Sequence, residues 1–176
     1  MHTTDIGIRT WDHICTEQVV LRYAQAIDDL DWALMRSIMA DPFQMDYGSL
    51  GSLVGEVSVD TWLKRLSGLA GFAVTQHRVT NIRSLVQGDR ATVVSMVEAI
   101  HFLSVDHPVE EAAACGAYTH TLFRTADADW KISGVKFQVA AWRGGRAQFE
   151  SLMAESRDRV ARGQPSRPVS PLSSAG

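Results

Sequence analysis

The chain has 176 residues, 45% of them hydrophobic, which suits one domain with a sizeable core. Its formal charge of −3 excludes the basic face that nucleic acid needs and a polybasic membrane patch. No apolar run approaches the roughly 20 residues that span a bilayer, the opening MHTTDIGIRTW lacks a charged-then-apolar export pattern, and Cys15 and Cys115 read as two reduced thiols of a cytoplasmic protein.

After an extension over residues 1–11, the first helix is expected from Asp12 to Asp29. On a wheel of about 100° per residue, Val20, Ala24 and Ile27 share a narrow arc flanked by Leu21 and Tyr23, with Arg22, Gln25 and Asp29 opposite. Asp28 falls between Leu21 and Ala24, on the apolar side. A carboxylate there is either a helix-end acid satisfied by backbone or arginine, or a group placed for chemistry.

Asp31 reads as the N-cap of a helix Trp32–Ala40 that Asp41-Pro42 ends. Phe43–Tyr47 reads as a short strand carrying Tyr47 on its apolar face, Gly48, Gly51 and Gly55 as loops, and Val59–Leu69 as a third amphipathic helix. The period then changes to two. Ala73–Val86, Ala91–Val105, Cys115–Thr125 and Trp130–Trp142 read as strands, with hairpins at Gly88-Asp89 and Asp127–Asp129. Helices first and hairpin-linked strands second define an α+β fold with a mostly antiparallel sheet. A C-terminal helix is expected over 146–160, and the Pro/Ser-rich stretch 161–176 reads as a disordered tail.

Three of six histidines fall within strands. His77 shares parity with Val79 and Asn81, and His101 with Val93 and Val97, so the two point into one interior. His120 shares parity with Tyr118 and Leu122, but Ala117, Thr119 and Phe123 compete for the inside. Metal-ligand spacings are missing: no HExxH, HxxxH or cysteine pair occurs, and Glu98 and His101 fall on opposite strand faces. No GxSxG elbow supports a serine nucleophile, and no phosphate-cradling glycine pattern implies a nucleotide, so neither metal nor cofactor is expected. General acid/base chemistry remains, with His77 oriented by Asp28 as the simplest pairing. Tyr47 can donate a hydrogen bond to a substrate oxygen, and Tyr23, His101, His120, Asn81 and Trp142 are expected around the substrate, Trp142 at the mouth.

The stretch Arg22–Trp32, the triplet Met45–Tyr47, Thr75–Asn81, Gly116–Tyr118 through Phe123–Thr125, Trp130–Ile132 and Val139–Gly145 together resemble the SnoaL-like branch of the NTF2-like superfamily. Residues 12–145 would form its domain. The resemblance implies a cone-shaped α+β barrel, and its scytalone dehydratase, bile acid 7α-dehydratase and dehydrochlorinase members carry an Asp–His dyad matched here by Asp28 and His77. By the same resemblance Tyr47 and His101 match scytalone dehydratase active-site positions, and Tyr23 a pocket tyrosine of the bile acid enzyme. Ile27, His120 and Leu122 depart from the scytalone dehydratase pattern, which implies another substrate.

The expectation is a cofactor-free lyase or isomerase of dehydratase type acting on a small hydrophobic oxygenated molecule such as a polyketide, terpenoid or steroid. An aldol-type cyclase, a non-catalytic binding pocket and an assembly subunit like the β subunits of ring-hydroxylating dioxygenases are the alternatives. Either a homodimer or a homotrimer is expected.

Overall fold

The computed structural model describes residues 3–106 and 110–168, with side chains described from Trp11 onward. Helix α1 spans Thr3–Asp28 and α2 spans Trp32–Ile38. Strand β1 (Met39–Asp46) and β2 (Val54–Val57) follow, then α3 (Val59–Leu66) and a 3-10 turn, Ser67–Gly71. Four long elements complete the sheet: β3 (Val74–Gln87), β4 (Arg90–Phe102), β5 (Glu111–Arg124) and β6 (Trp130–Arg143), with α4 (Arg146–Ala161) last.

The six strands run in the order β2-β1-β6-β5-β4-β3, and the sheet does not close on itself. Every neighbouring pair is antiparallel except β1 with β6. This is the expected α+β architecture with its mostly antiparallel sheet. Register shifts at Thr80/Arg83, where β3 carries an extra residue, and opposite Cys115/Gly116 and Thr121/Leu122 of β5, where β6 carries the extra residues Ala140 and Ser133, bend the long strands. Helix α1 packs across β3, β4 and β6 and buries Val19, Val20, Tyr23, Ala26 and Ile27. The expected stripe of Val20, Ala24, Ile27 and Tyr23 is buried and widens to Val19 and Ala26, while Leu21 is half-buried, each large buried side chain contributing about 1.5–3 kcal/mol.

Helix α1 ends through a local bonding pattern. Leu30 adopts φ 53°, its N–H donates to the Ile27 carbonyl, and the Asp31 N–H donates to Ala26. These are the two bonds of a Schellman motif, in a left-handed conformation that leucine rarely takes. Asp31 caps α2 as expected, its Oδ1 accepting from the Leu34 N–H at 2.9 Å.

Several boundaries differ from the sequence reading. Helix α1 begins at Thr3, so most of the expected N-terminal extension is helical. Helix α2 stops at Ile38 because residues from Met39 onward pair with β6, and Pro42 sits inside β1, where the pairing is irregular. Val54–Val57, expected as loop, pairs with Phe43–Asp46. The third helix ends at Leu66 and tightens into the 3-10 turn.

Residues 162–168, expected to be part of a disordered tail, instead return to the body. The Ser166 and Arg167 N–H groups both donate to the Ala70 carbonyl, at 2.8 and 3.1 Å. Residues 169–176 of that expected tail lie outside the described residues.

Helix α4 lies on the 3-10 turn at very close range. A Cβ on Gly71 would stand 2.1 Å from the Ser156 carbonyl oxygen, whereas one on Gly68 would meet the flexible Arg157 stem at 2.9 Å. Gly71→Ala therefore pushes α4 away from its seat and is expected to cost about 1–3 kcal/mol. Gly68→Ala should cost well under that. Urea denaturation of the two variants checks the order; equal stabilities would show that α4 is not held here.

Candidate active site

Asp28 is the last residue of α1, and His77 lies on the edge strand β3. On an edge strand, alternate backbone N–H groups have no strand partner. One of these, the His77 N–H, donates to Asp28 Oδ2 at 2.7 Å. The His77 Nδ1 stands 2.7 Å from Asp28 Oδ1. Both carboxylate oxygens are thus bound to a single residue, and the pair expected from sequence is formed.

Burial pushes the Asp28 pKa up. The side-chain hydrogen bond and charge of His77, its backbone N–H and the Thr75 side chain outweigh this and hold it below 3.8. An ionised carboxylate only accepts, so the proton in the contact sits on His77 Nδ1. In the neutral ring Nε2 then carries the free lone pair, and His77 lines a cavity of about 300 Å³.

The cavity walls come from α1, α3, the 3-10 turn, β3–β6 and α4. Ile27, Leu66, Leu69, Ala99, Ala114 and Phe137 make it apolar. Its polar side chains include His77, His101, Tyr47, Tyr118, Ser52 and Trp62, with Arg65, Arg146, Glu150 and Arg157 toward solvent. Arg146 is paired with Glu150 at 2.7 Å. Arg65 and Arg157 have no ion pair among the described residues.

His101 is buried, and its Nδ1–H donates to the Ala99 carbonyl at 3.1 Å, which leaves Nε2 as an acceptor. Its ring stands 5.9 Å from that of His77. Burial first, and the neighbouring His77 second, drive its pKa from 6.5 to about 3, so it is a neutral imidazole. Tyr23 and Tyr47 are fully buried, and their hydroxyls are 2.9 Å apart. Burial and nearby phenols raise both pKa values, keeping each a protonated donor.

Four expected residues do not line the cavity. Tyr23 stands behind Tyr47, its hydroxyl bonded to the Tyr47 hydroxyl. Asn81 is exposed on the β3 bulge with φ 51°, where the strand shifts register. The shift turns Thr75, His77 and Val79 inward on one side of it and Ile82, Ser84 and Val86 on the other. His120 does face the interior but sits behind the cavity, packed between Tyr23 and Tyr118 at 5.1 and 5.3 Å between ring centroids. Trp142 backs Phe149 at 4.9 Å instead of closing the mouth, and Phe149 and Met153 of α4 do line the cavity. Tyr118 was missed, although it lies two residues from His120 on the same face. Thr75 and Arg167, which brace Asp28, were missed as well.

The fold and this site define a SnoaL-like α+β protein with a helix-borne carboxylate paired to a strand histidine. The SnoaL-like domain model matches residues 9–136, and the chain belongs to that family. Among solved structures, Kfla4162 from Kribbella flavida is 24% identical with TM-score 0.69, covering 82% of this chain and 95% of that one. A protein provisionally assigned as a scytalone dehydratase from Novosphingobium aromaticivorans is 21% identical with TM-score 0.66, covering 81% and 92%. The hexachlorocyclohexane dehydrochlorinase LinA-type3 from Novosphingobium barchaimii is 16% identical with TM-score 0.64, covering 77% and 90%. At these identities the likeness shows the fold. No curated protein sequence matches the chain.

The buried histidines set an acid sensitivity. Burial lowers the folded pKa of both His101 and His120 from 6.5 to about 3. Between these values the unfolded chain binds protons that the folded chain does not, so stability falls as pH drops from 6.5 toward 3. Each histidine contributes a slope of about 1 kcal/mol per pH unit in that window. His120→Leu should remove about half of the combined slope, measured by urea denaturation at pH 6, 5 and 4. An unchanged slope would mean His120 is charged, or hydrated, in the folded state.

Proposed function

We propose that the chain is a cofactor-free lyase or isomerase, of dehydratase type, in which His77 Nε2 removes a proton from carbon next to a carbonyl or leaving group. The observation that carries this reading is the double engagement of Asp28 by His77. It fixes the tautomer and leaves one basic nitrogen, on a residue lining an apolar cavity. As the imidazolium forms, the Asp28 carboxylate stabilises it.

Tyr47 is the donor for the substrate oxygen. Tyr23 stands behind it, and if Tyr23 donates across their 2.9 Å contact, the Tyr47 proton is free to point into the cavity. His101 Nε2 offers an acceptor for a substrate hydroxyl. The cavity is at the small end of the about 300–1,000 Å³ range of ligand pockets, which favours a compact polyketide or terpenoid over a larger ligand. Arg65 and Arg157 at its rim, without an ion pair among the described residues, suit a polar or anionic end of that molecule. Dehydration, double-bond isomerisation and aldol cyclisation share the same first proton transfer, and the fold hosts them all.

The test is incubation with a panel of polyketide, terpenoid and steroid alcohols, with mass detection of water loss or of an isomer at unchanged mass. Against a turned-over substrate, Asp28→Asn and His77→Gln should each lower kcat by about 10²–10⁴, and Tyr47→Phe by about 10². Unchanged turnover in both dyad variants would remove the acid/base reading.

A further inference from the structure

We propose that Arg167, in the segment that follows α4, is a positioning residue for the Asp28–His77 pair. The four last-turn carbonyls of a helix lack intrahelical partners, and Asp28, the end of α1, supplies one of them. Arg167 Nη1 donates to the Asp28 carbonyl at 2.6 Å. The same guanidinium donates through Nε to the Phe72 carbonyl at 3.1 Å, and through Nη2 to the Leu69 carbonyl at 3.1 Å and Thr75 Oγ1 at 3.3 Å. One rigid fork therefore ties together the end of α1, the 3-10 turn and the start of β3. The first carries the acid, and the third carries the imidazole two residues on.

The Thr75 contact leads on toward the carboxylate. A hydroxyl that accepts from a guanidinium keeps its own hydrogen to donate, and the Thr75 side chain is among the groups that lower the Asp28 pKa. The proposed path runs Arg167, Thr75, Asp28 carboxylate, His77 Nδ1. Among residues 162–168, Arg167 alone is not exposed. The backbone bonds of Ser166 and Arg167 to Ala70, and the Ser166 hydroxyl on the Gly71 carbonyl at 2.9 Å, seat it. A cation at a helix C-terminus is also favourable to the dipole. The charged and titratable groups around Asp28 are His77 on β3, His101 behind it on β4, Tyr118 on β5, Asp29 just past the end of α1, and Arg167. Arg167 is the permanent cation among them, and the charge of Asp28 acts to keep it protonated against its burial.

Arg167 does not line the cavity, so its effect reaches the chemistry only through the pair. The experiment uses the full chain and the variants Arg167→Gln, Arg167→Lys and Thr75→Val. Carbon NMR of the Asp28 carboxyl and nitrogen NMR of the His77 ring read the two groups directly. In the parent chain His77 should be the Nδ1–H tautomer. Arg167→Gln should raise the Asp28 pKa and mix the two tautomers, and Thr75→Val should do the same in part. Arg167→Lys should keep the Asp28 pKa closer to the parent value while still mixing the tautomers, because an ammonium cannot reproduce the fork.

A folded Arg167→Gln with both signals unchanged overturns the proposal. If that variant does not fold, an unchanged Asp28 pKa in Thr75→Val overturns it instead. With a turned-over substrate, Arg167→Gln should lower kcat about 10–100-fold and leave KM within about 2-fold. That kinetic arm alone rests on the proposed function; with no turnover found, the NMR result still decides the role of Arg167.

Discussion

The site depends on one acid held on both oxygens by one residue. A carboxylate at the mostly buried end of a helix is costly to leave ionised. It is tolerated here because the His77 ring and the His77 backbone each supply a donor at 2.7 Å. The backbone donor exists only because β3 is a sheet edge, where that N–H has no neighbouring strand to satisfy. Had another strand paired outside β3, Asp28 would hold a single contact and the imidazole could rotate. The openness of the sheet is thus part of what holds the pair.

The elements around the pair are placed by bonds that the long strands do not provide. The Schellman turn at Leu30 stops α1 where Asp28 meets β3. The 3-10 turn carries α4 on one side, through Gly71 and the Ser156 hydroxyl on the Gly68 carbonyl at 2.7 Å. On the other side it receives Arg167. The cavity is consequently roofed by a helix late in the chain, and Phe149 and Met153 close what the sheet alone would leave open to water. Water exclusion strengthens the electrostatics of the pair and of the tyrosine donors.

Much of the site was legible because two simple periods place side chains. The 3.6-residue period set Asp28 between Leu21 and Ala24, and the two-residue period set His77 and His101 inward. The same rule failed at Asn81, because one inserted residue flips every later side chain to the other face. A trace of that failure lies in the pattern itself: Val79 and Ile82 are both apolar but differ in parity, so a single register cannot bury both. His120 was correctly inward but too deep to reach a ligand, a distinction that parity does not carry. Tyr118 had the same parity and was passed over in favour of the histidine.

By itself the sequence determined the order of helices and hairpins, the faces they bury and the identity of the acid and the imidazole, because these follow from local spacing along one element. Tertiary structure alone decided that the edge N–H of β3 faces α1, that β1 runs parallel to β6, that α4 roofs the cavity and that residues 162–168 dock. Each of these joins segments far apart in the chain through backbone groups, which every residue but proline carries alike. A Pro/Ser-rich composition therefore reads as loose chain until one arginine finds three carbonyls arranged to receive it.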